Sequence, residues 1–386
     1  MCDACQINNN NSSSSGSKTV PVSEAVGMVL PHDITEIRPG EFKGRAFKKG
    51  HVVRAEDVEH LKRLGKEQLF ILEIKEDEMH ENDAAAAIAA ALAGEGIAMA
   101  GEPNEGKINL IAERDGLLHI NRNALLDFNM LGEVMCATIH SNSVVKKGQL
   151  VAGTRAIPLV VRKSIVDQAV NIAERVHGVL NIKELRKPKA GIVITGNEVY
   201  HGRIKDAFEP VIRKKIKGVD GDIIGVRFAP DDVQTIEDRI RELIDAGADL
   251  IITSGGMSVD PDDVTRFAIR NLGVEEMHYG SPVLPGSMFL VAYVDRVRSQ
   301  GARVKSEKTA EPLISDSELT PHTPDLVPIL GIPACGMYAD ITVFDLVLPR
   351  ILAGERIGRK ELAELGHGGL CVKCETCRYP VCPFGK

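Results

Sequence analysis

From residue 190 onward the chain alternates short apolar runs with amphipathic stretches, and this alternation restricts the fold more than any other feature. "AGIVIT" (190–195), "DIIGVRFA" (222–229), "ADLIITSGG" (248–256) and "VPILGIP" (327–333) are strand-length runs. Between and after them lie "DAFEPVIRKKIKG" (206–218), "DDVQTIEDRIRELIDAG" (231–247), "DDVTRFAIRNLG" (262–273) and "ADITVFDLVLPRIL" (339–352). In the second of these, Val233, Ile236, Ile240, Leu243 and Ile244 form one stripe at helical spacing. Strands alternating with helices predict a parallel sheet covered on both faces. Ligands in such sheets bind at the carboxyl ends of the strands.

"TSGGMSVDPDDVT" (253–265) stands at one of those ends. Ser254, Gly255, Gly256 and Ser258 follow a buried strand, and glycines let the backbone approach a ligand with its N–H groups. A helix beginning near Asp262 would add the positive end of its dipole. Asp260, Asp262 and Asp263 are candidates to hold a divalent cation, as Mg²⁺ is held by one or two carboxylates plus phosphate oxygens. Phosphate with a metal is therefore the ligand that explains glycines and aspartates together. A bland account explains the same residues: Asp262 or Asp263 caps the helix, and Gly-Gly makes a tight turn. Neither GxxxxGK[ST] nor GxGxxG after a strand occurs.

The preceding half is of another kind. The polar, low-complexity "QINNNNSSSSGSK" (6–18) predicts disorder for residues 1–19. Residues 20–187 read as a smaller α+β, β-rich region. "TVPVSEAVGMVLPHDIT" opens it with a short helical piece and an extended one. "RAEDVEHLKRLG" (54–65) predicts a helix, with Val58, Leu61 and Leu64 on one face and Gly65 as its stop. "QLFILEI" (68–74) is a buried strand, and "KINLIAERDGLLHIN" predicts a hairpin about an Asp-Gly turn. "KSIVDQAVNIAERVHG" (163–178) is a helix, "KELRKPK" (183–189) a linker, and residues 295–326 an exposed polar insertion.

Charge and composition exclude some classes. The net charge is −7, no Lys/Arg block occurs, Trp is absent and aromatics make up 4%, so nucleic acid is not an expected partner. The Ala-rich "AAAAIAAALAG" (84–94) is too short for a span of ~20 apolar residues. The opening "MCDACQ" has neither the basic nor the apolar region of a secretory signal, so no membrane is expected and the location reads as cytoplasmic. His119, His140 and His278 read as packed or solvent-facing.

Several short stretches match a known pattern in order. They are "ITGNEV" (194–199), "APDD" (229–232), "TSGGMSV" (253–259), "VLPG" (283–286) and "GIP" (331–333). Through them residues 190–355 resemble the molybdopterin-binding domain of the molybdopterin adenylyltransferases and molybdopterin molybdenumtransferases. Within residues 20–80, "EAVGMVLPHDI" and "KKGHVVRAEDVEHLKRLG" are similar to the opening of the molybdenumtransferases. The resemblance implies a three-layer α/β/α domain over 188–356, with a mixed, mostly parallel sheet that binds the pterin and its phosphate. It implies that Ser254, Gly255, Gly256 and Ser258 meet phosphate, and that Thr195, Gly196, Glu198, Pro285, Gly286, Gly331 and Pro333 line the pocket. It makes Asp263 the leading catalytic or metal-binding carboxylate, and Asp231 matches an acidic residue of the adenylyltransferases; Asp260 joins them as a candidate cation ligand. It also implies a homo-oligomer.

The departures are specific. "DPDD" stands where the transferases read GDYD, and "PDDVT" is closer to the adenylyltransferases. Ser287 replaces the lysine of the family's PGKP, which weakens oxyanion binding. Cys335 and Gly336 replace Asn and Pro of GxPGNP, and "DAF" (206–208) replaces DSN. About 30 residues follow the α/β stretch, where the transferases carry a β-domain.

Those residues, 357–386, contain C-x2-C-x2-C-x4-C. Cys371, Cys374, Cys377 and Cys382 predict a metal site, with Zn²⁺ first and an iron–sulfur cluster as the alternative, since Pro383 follows Cys382. His367 is a substitute ligand. Cys2 and Cys5 read as an unstructured tail, Cys136 stands alone, and Cys335 reads as a small buried filler in the presumed pocket.

The functional expectation is a molybdenum-cofactor biosynthesis protein that binds molybdopterin or its adenylylated form and assists Mg²⁺-dependent molybdate insertion. The alternatives are a non-catalytic carrier or sensor serving a molybdoenzyme or another cofactor-biosynthesis protein, and a CinA-like nucleotide hydrolase.

Overall fold

The structure, a computed structural model, describes residues 17–28, 30–38, 42–49, 51, 53–72, 74–257, 260, 263–296 and 326–385. Cys2, Cys5, Ser258, Asp262 and almost all of the polar insertion lie outside the described residues. The chain divides into two compact units. One takes residues up to 113 with 121–139 and 148–181; the other takes 114–120, 140–147 and 182 onward.

In the first unit, strand Ser17–Pro21 pairs antiparallel with Gln68–Leu72, and Ile34–Arg38 pairs with Phe42–Phe47. Val20, Val22, Leu30, Ile34, Phe47, Val53, Leu61 and Leu69 form their core. The predicted helix at 54–65 is present as Asp57–Arg63. The Ala-rich segment is a helix, Glu81–Leu92, whose Ala84, Ala85, Ile88, Ala89 and Leu92 are buried. His80 caps that helix: its Nδ1 accepts from the Asn82 N–H at 3.0 Å, so its Nε2–H donates to the Pro31 carbonyl at 2.8 Å.

The predicted hairpin does not form. Lys107–Ala112 pairs with Ile97–Asn104 and Leu150–Ala156, whereas Gly116–Ile120 pairs with Ser143–Val145. The Asp115 carboxylate accepts from the Lys147 N–H and the Lys146 ammonium, both at 2.8 Å. These bonds hold the turn against residues 143–147 instead of folding it back on the first strand.

The second unit is built on a six-stranded sheet. Its strands are β1 (Lys189–Thr195), β2 (Asp222–Ala229), β3 (Leu250–Ser254), β4 (Glu276–Tyr279), β5 (Leu290–Asp295) and β6 (Leu326–Ile332). The spatial order is β2-β1-β3-β6-β5-β4. β2, β1, β3 and β6 are parallel; β5 runs antiparallel to both neighbours, so the sheet is mixed and mostly parallel. The helices are α1 (Asn197–Tyr200), α2 (Phe208–Gly218), α3 (Val233–Asp245), α4 (Thr265–Asn271), α5 (Val343–Leu352) and α6 (Arg359–Glu364).

Burial shows why these strands read as continuous apolar runs. Ile192, Ile194, Ile252 and Leu330 pack with Phe208, Ile212, Val343 and Val347, from α2 and α5. The intervening Val193, Ile251 and Ile329 pack with Ile236, Ile240, Ala268 and Ile269, from α3 and α4. Successive side chains on a strand face opposite ways, so covering both faces demands apolar residues at every position. The result is the expected three-layer α/β/α arrangement. α4 differs from expectation: it begins at Thr265, not near Asp262, and spans seven residues, with Val264, which gives no side-chain cap bond, as its N-cap residue.

Candidate functional site

The chain order sends β1 to β2 on one side and then back across to β3 on the other. Adjacent strands whose connections diverge leave a crevice at their carboxyl ends, and this is where open α/β sheets bind ligands. Here the crevice lies between Thr195 and Ser254, since Ile194 is paired with Ser254. The loop entering β5 comes to the same edge, because Leu290 at the start of that antiparallel strand faces Gly331 near the end of β6.

The floor is a buried hydroxyl cluster. The Thr195 hydroxyl donates to the Ser254 carbonyl at 2.9 Å and lies 3.0 Å from the Thr265 hydroxyl. The side-chain oxygens of Thr253 and Ser254 are buried and find no hydrogen-bond partner among the described residues. Gly255 and Gly256 run directly above, at φ +85° and +58°. A Cβ on Gly255 would stand 2.4 Å from the Thr195 carbonyl oxygen, and one on Gly256 would stand 2.3 Å from the Thr265 hydroxyl. The two glycines are therefore required by the packing beneath them as well as by their backbone angles.

The other loops are pinned separately. The Asp231 carboxylate accepts from the Asn197 N–H at 2.9 Å, and the Asn197 side-chain oxygen accepts from the Asp231 N–H at 3.3 Å, joining the turns after β1 and β2. Gly196, at φ +135°, lies against the Glu198 carboxylate, which a Cβ would meet at 2.9 Å. Pro285 accepts through its carbonyl from the Val343 N–H at 3.3 Å, and Gly286 is buried against Val343. Gly331 is covered by Met257, whose carbonyl accepts from the Tyr279 hydroxyl at 2.5 Å. Pro333 precedes a 3-10 turn, Ala334–Met337, that holds the half-buried Cys335, whose thiol burial pushes to a higher pKa.

The aspartates are arranged as a closed turn. The Asp263 carboxylate accepts from the Asp260 N–H, and the Asp263 N–H donates to the Asp260 carbonyl, both at 3.0 Å. Asp263 thus does not cap α4. Asp260 is exposed, as is Ser287.

Sequence reasoning passed over Asn197, Thr265 and Met257. The first two stand inside stretches already singled out, "ITGNEV" and "PDDVT"; Met257 carries no such signal, because its role depends on a glycine in another strand.

The tail cysteines are spread by exposure: Cys374 and Cys377 are exposed, Cys371 and Cys382 half-buried. Among the described residues no group of three or more His, Cys, Asp or Glu side chains is gathered closely enough to ligate a metal. No helix among them is long and apolar enough to cross a membrane.

Residues 191–351 match the family described as the probable molybdopterin binding domain, and residues 19–73 match one described as a domain of unknown function. A CinA-like protein of Mycobacterium avium is 40% identical over 89 residues, 22% of this chain and 20% of that protein. One of Mycolicibacterium gilvum is 37% identical over 92 residues, 22% of each chain. This chain spans about a fifth of the length of these curated relatives. Among solved structures, the molybdopterin biosynthesis enzyme MoaB of Thermus thermophilus is 20% identical with a TM-score of 0.31, covering 44% of this chain and 98% of that one. The molybdopterin biosynthesis MoeA protein of Pyrococcus horikoshii is 14% identical with a TM-score of 0.31, covering 88% of this chain and 75% of that one.

Proposed function

We propose that this chain, whose residues 191–351 match the probable molybdopterin binding domain, binds molybdopterin, or its adenylylated form, at the carboxyl edge of the sheet and assists Mg²⁺-dependent molybdate insertion. The observation that carries the reading is the Gly255–Gly256 turn, wedged over Thr195 and Thr265 at the divergence of the strand connections. In this reading the backbone amides of that turn, with Ser258, receive the phosphate. The turns at Gly196–Glu198, Pro285–Ser287 and Gly331–Pro333 surround the pterin. Asp231 positions the first of these through Asn197.

Mg²⁺ fits the donor chemistry of this edge. Asp260 is exposed, and the Asp260 N–H engages one of the two Asp263 oxygens. These carboxylates would hold the ion, which would neutralise phosphate and oxyanion charge when bound. Zn²⁺ belongs to the cysteine tail. A homo-oligomer and transfer to a molybdoenzyme complete the proposal.

Two specific observations favour other readings. Exposed Ser287 stands where the resemblance calls for lysine, which supports a carrier or sensor without turnover. The matches of 37–40% identity to CinA-like proteins, over 22% of this chain, favour the CinA-like alternative, which we read as a nucleotide hydrolase. Calorimetric titration with molybdopterin, adenylylated molybdopterin and free adenine nucleotides, with and without Mg²⁺, separates the three when followed by product analysis. The proposed function requires pterin binding, Mg²⁺-dependent cleavage of the adenylylated form, and loss of that cleavage in Asp263→Ala. Binding without product selects the carrier, and preference for the nucleotide selects the hydrolase.

A further inference from the structure

The cysteine segment is fastened to the loop that forms one wall of the candidate site. The Leu284 N–H donates to the Gly369 carbonyl and the Cys371 N–H donates to the Leu284 carbonyl, both at 2.8 Å, making a parallel bridge between Leu284 and Leu370. Leu284 is followed directly by Pro285 and Gly286. At its far end the segment is closed on itself, because the Gly385 N–H donates to the Gly368 carbonyl at 3.0 Å. Phe384 is buried in the same core as Val343 and Phe344.

Between these two fastenings lie all four cysteines, with no helix or strand from Cys371 to Gly385. Cys371, Tyr379 and Cys382 pack against the core, but Leu370, Val372 and Val381 are 66%, 75% and 92% exposed. So short a loop buries too little apolar surface to order itself, and small segments of this kind are held by disulfides or metals. Lys373, within the first C-x2-C, adopts φ +53°, so the backbone already turns sharply between Cys371 and Cys374. Four thiolates in twelve residues are the donor set of a closed tetrahedral zinc site.

We propose that Cys371, Cys374, Cys377 and Cys382 bind one Zn²⁺ and that the metal-closed tail holds the Leu284–Gly286 loop in place. Binding releases the thiol protons and gathers exposed Cys374 and Cys377 toward the anchored Cys371 and Cys382. The ion is structural: all four positions are taken by protein sulfur, and its effect passes to Leu284 through two backbone hydrogen bonds. Calling that loop a pocket wall rests on the function proposed above; the zinc and its hold on Leu284 do not.

The test uses the full chain, purified under reducing conditions, in two measurements. Elemental analysis is expected to give one zinc per chain, released by a mercurial and lost in the Cys374→Ser/Cys377→Ser variant. Both substituted side chains are exposed, so the fold should survive. Hydrogen exchange, read on the native protein before and after zinc removal, is expected to show the Leu284 and Cys371 amides exchanging about tenfold faster without metal, while β3 is unchanged. Zinc-free protein that takes up no added Zn²⁺ overturns the site. Iron with visible charge-transfer absorbance overturns zinc in favour of a cluster. Zinc loss without a change at Leu284 overturns the coupling. Failure of pterin binding alone leaves both readouts intact and bears on the proposed function.

Discussion

At Gly256 a single hydrogen atom is the only side chain that fits. The residue sits at φ +58°, and a Cβ would approach the Thr265 hydroxyl to 2.3 Å. Gly273 has a similar angle, φ +76°, but open space around it. Alanine at Gly273 therefore meets only the left-handed penalty of about 1–2 kcal/mol. Alanine at Gly256 meets that penalty and a steric one, for a total expected near 3 kcal/mol. Denaturant midpoints at unchanged m-value measure both. Equal losses in the two variants would show that the turn yields easily, and that packing beneath it does not demand glycine. The same comparison bears on what was legible. The glycine pair is legible in the sequence as a place of close approach or a tight turn, but the packing beneath it is not. Of the two threonines, Thr265 lies close by in sequence, but Thr195 is 70 residues from it, and only the folded sheet brings the two hydroxyls together.

Elements carry the next set of forces. The first turn of α5 combines a Thr342/Asp345 capping box with a Lys215–Asp345 ion pair at 2.5 Å whose side chains are 13% and 14% exposed. Asp345→Ala removes the cap acceptor and leaves the Lys215 ammonium half-desolvated, which costs about 3–5 kcal/mol. Because the Val343 N–H holds Pro285, the variant is expected to weaken pterin binding as well; unchanged stability in denaturant would contradict the argument. In the first unit, His80 caps Glu81–Leu92 as a neutral ring. Burial lowers its pKa, the Pro31 carbonyl opposes this, and Lys49 lowers it further, with Asp83 raising it. A histidine with a lowered folded pKa takes up its proton more readily when unfolded. Stability is therefore complete above about pH 6.5 and falls as pH drops below it. Thermal unfolding between pH 7.5 and 5.5 should show that slope, and His80→Asn, which keeps a cap acceptor, should flatten it. A slope unchanged in the variant would assign the effect to other groups.

How far elements could be read from sequence followed from how local their causes are. The strands and helices after residue 190 were legible because two-sided burial writes itself into every position of a strand. The hairpin at Asp115 was misread because alternation identifies a strand but not its partner, and the partner was chosen by Lys146 and Lys147 some 30 residues on. The start of α4 was placed too early because three aspartates in a row of four resemble a cap, whereas Asp263 spends its carboxylate on the Asp260 N–H.

For the whole molecule, the decisive fact is that the chain crosses between its two units after residues 113, 120, 139, 147 and 181. Lys107–Ala112 and Gly116–Ile120 are separated by three residues, yet they belong to different units and different sheets. Every loop of the candidate site lies in the second unit. Ligand at a hundred times its Kd adds about 2.7 kcal/mol to whatever opening releases it. If the units open separately, saturating molybdopterin with Mg²⁺ slows hydrogen exchange in β1, β3 and Gly116–Ile120 and leaves Lys107–Ala112 unchanged. The effect is expected to break between residues 112 and 116, a step that mass spectrometry of overlapping peptides resolves. Equal slowing of both strands would mean that ligand binding is felt by one cooperative structure, so that the five crossings tie the units into a single opening event. Slowing confined to Gly255, Gly256 and their neighbours would mean instead that the site loops open locally, without unfolding the sheet that carries them.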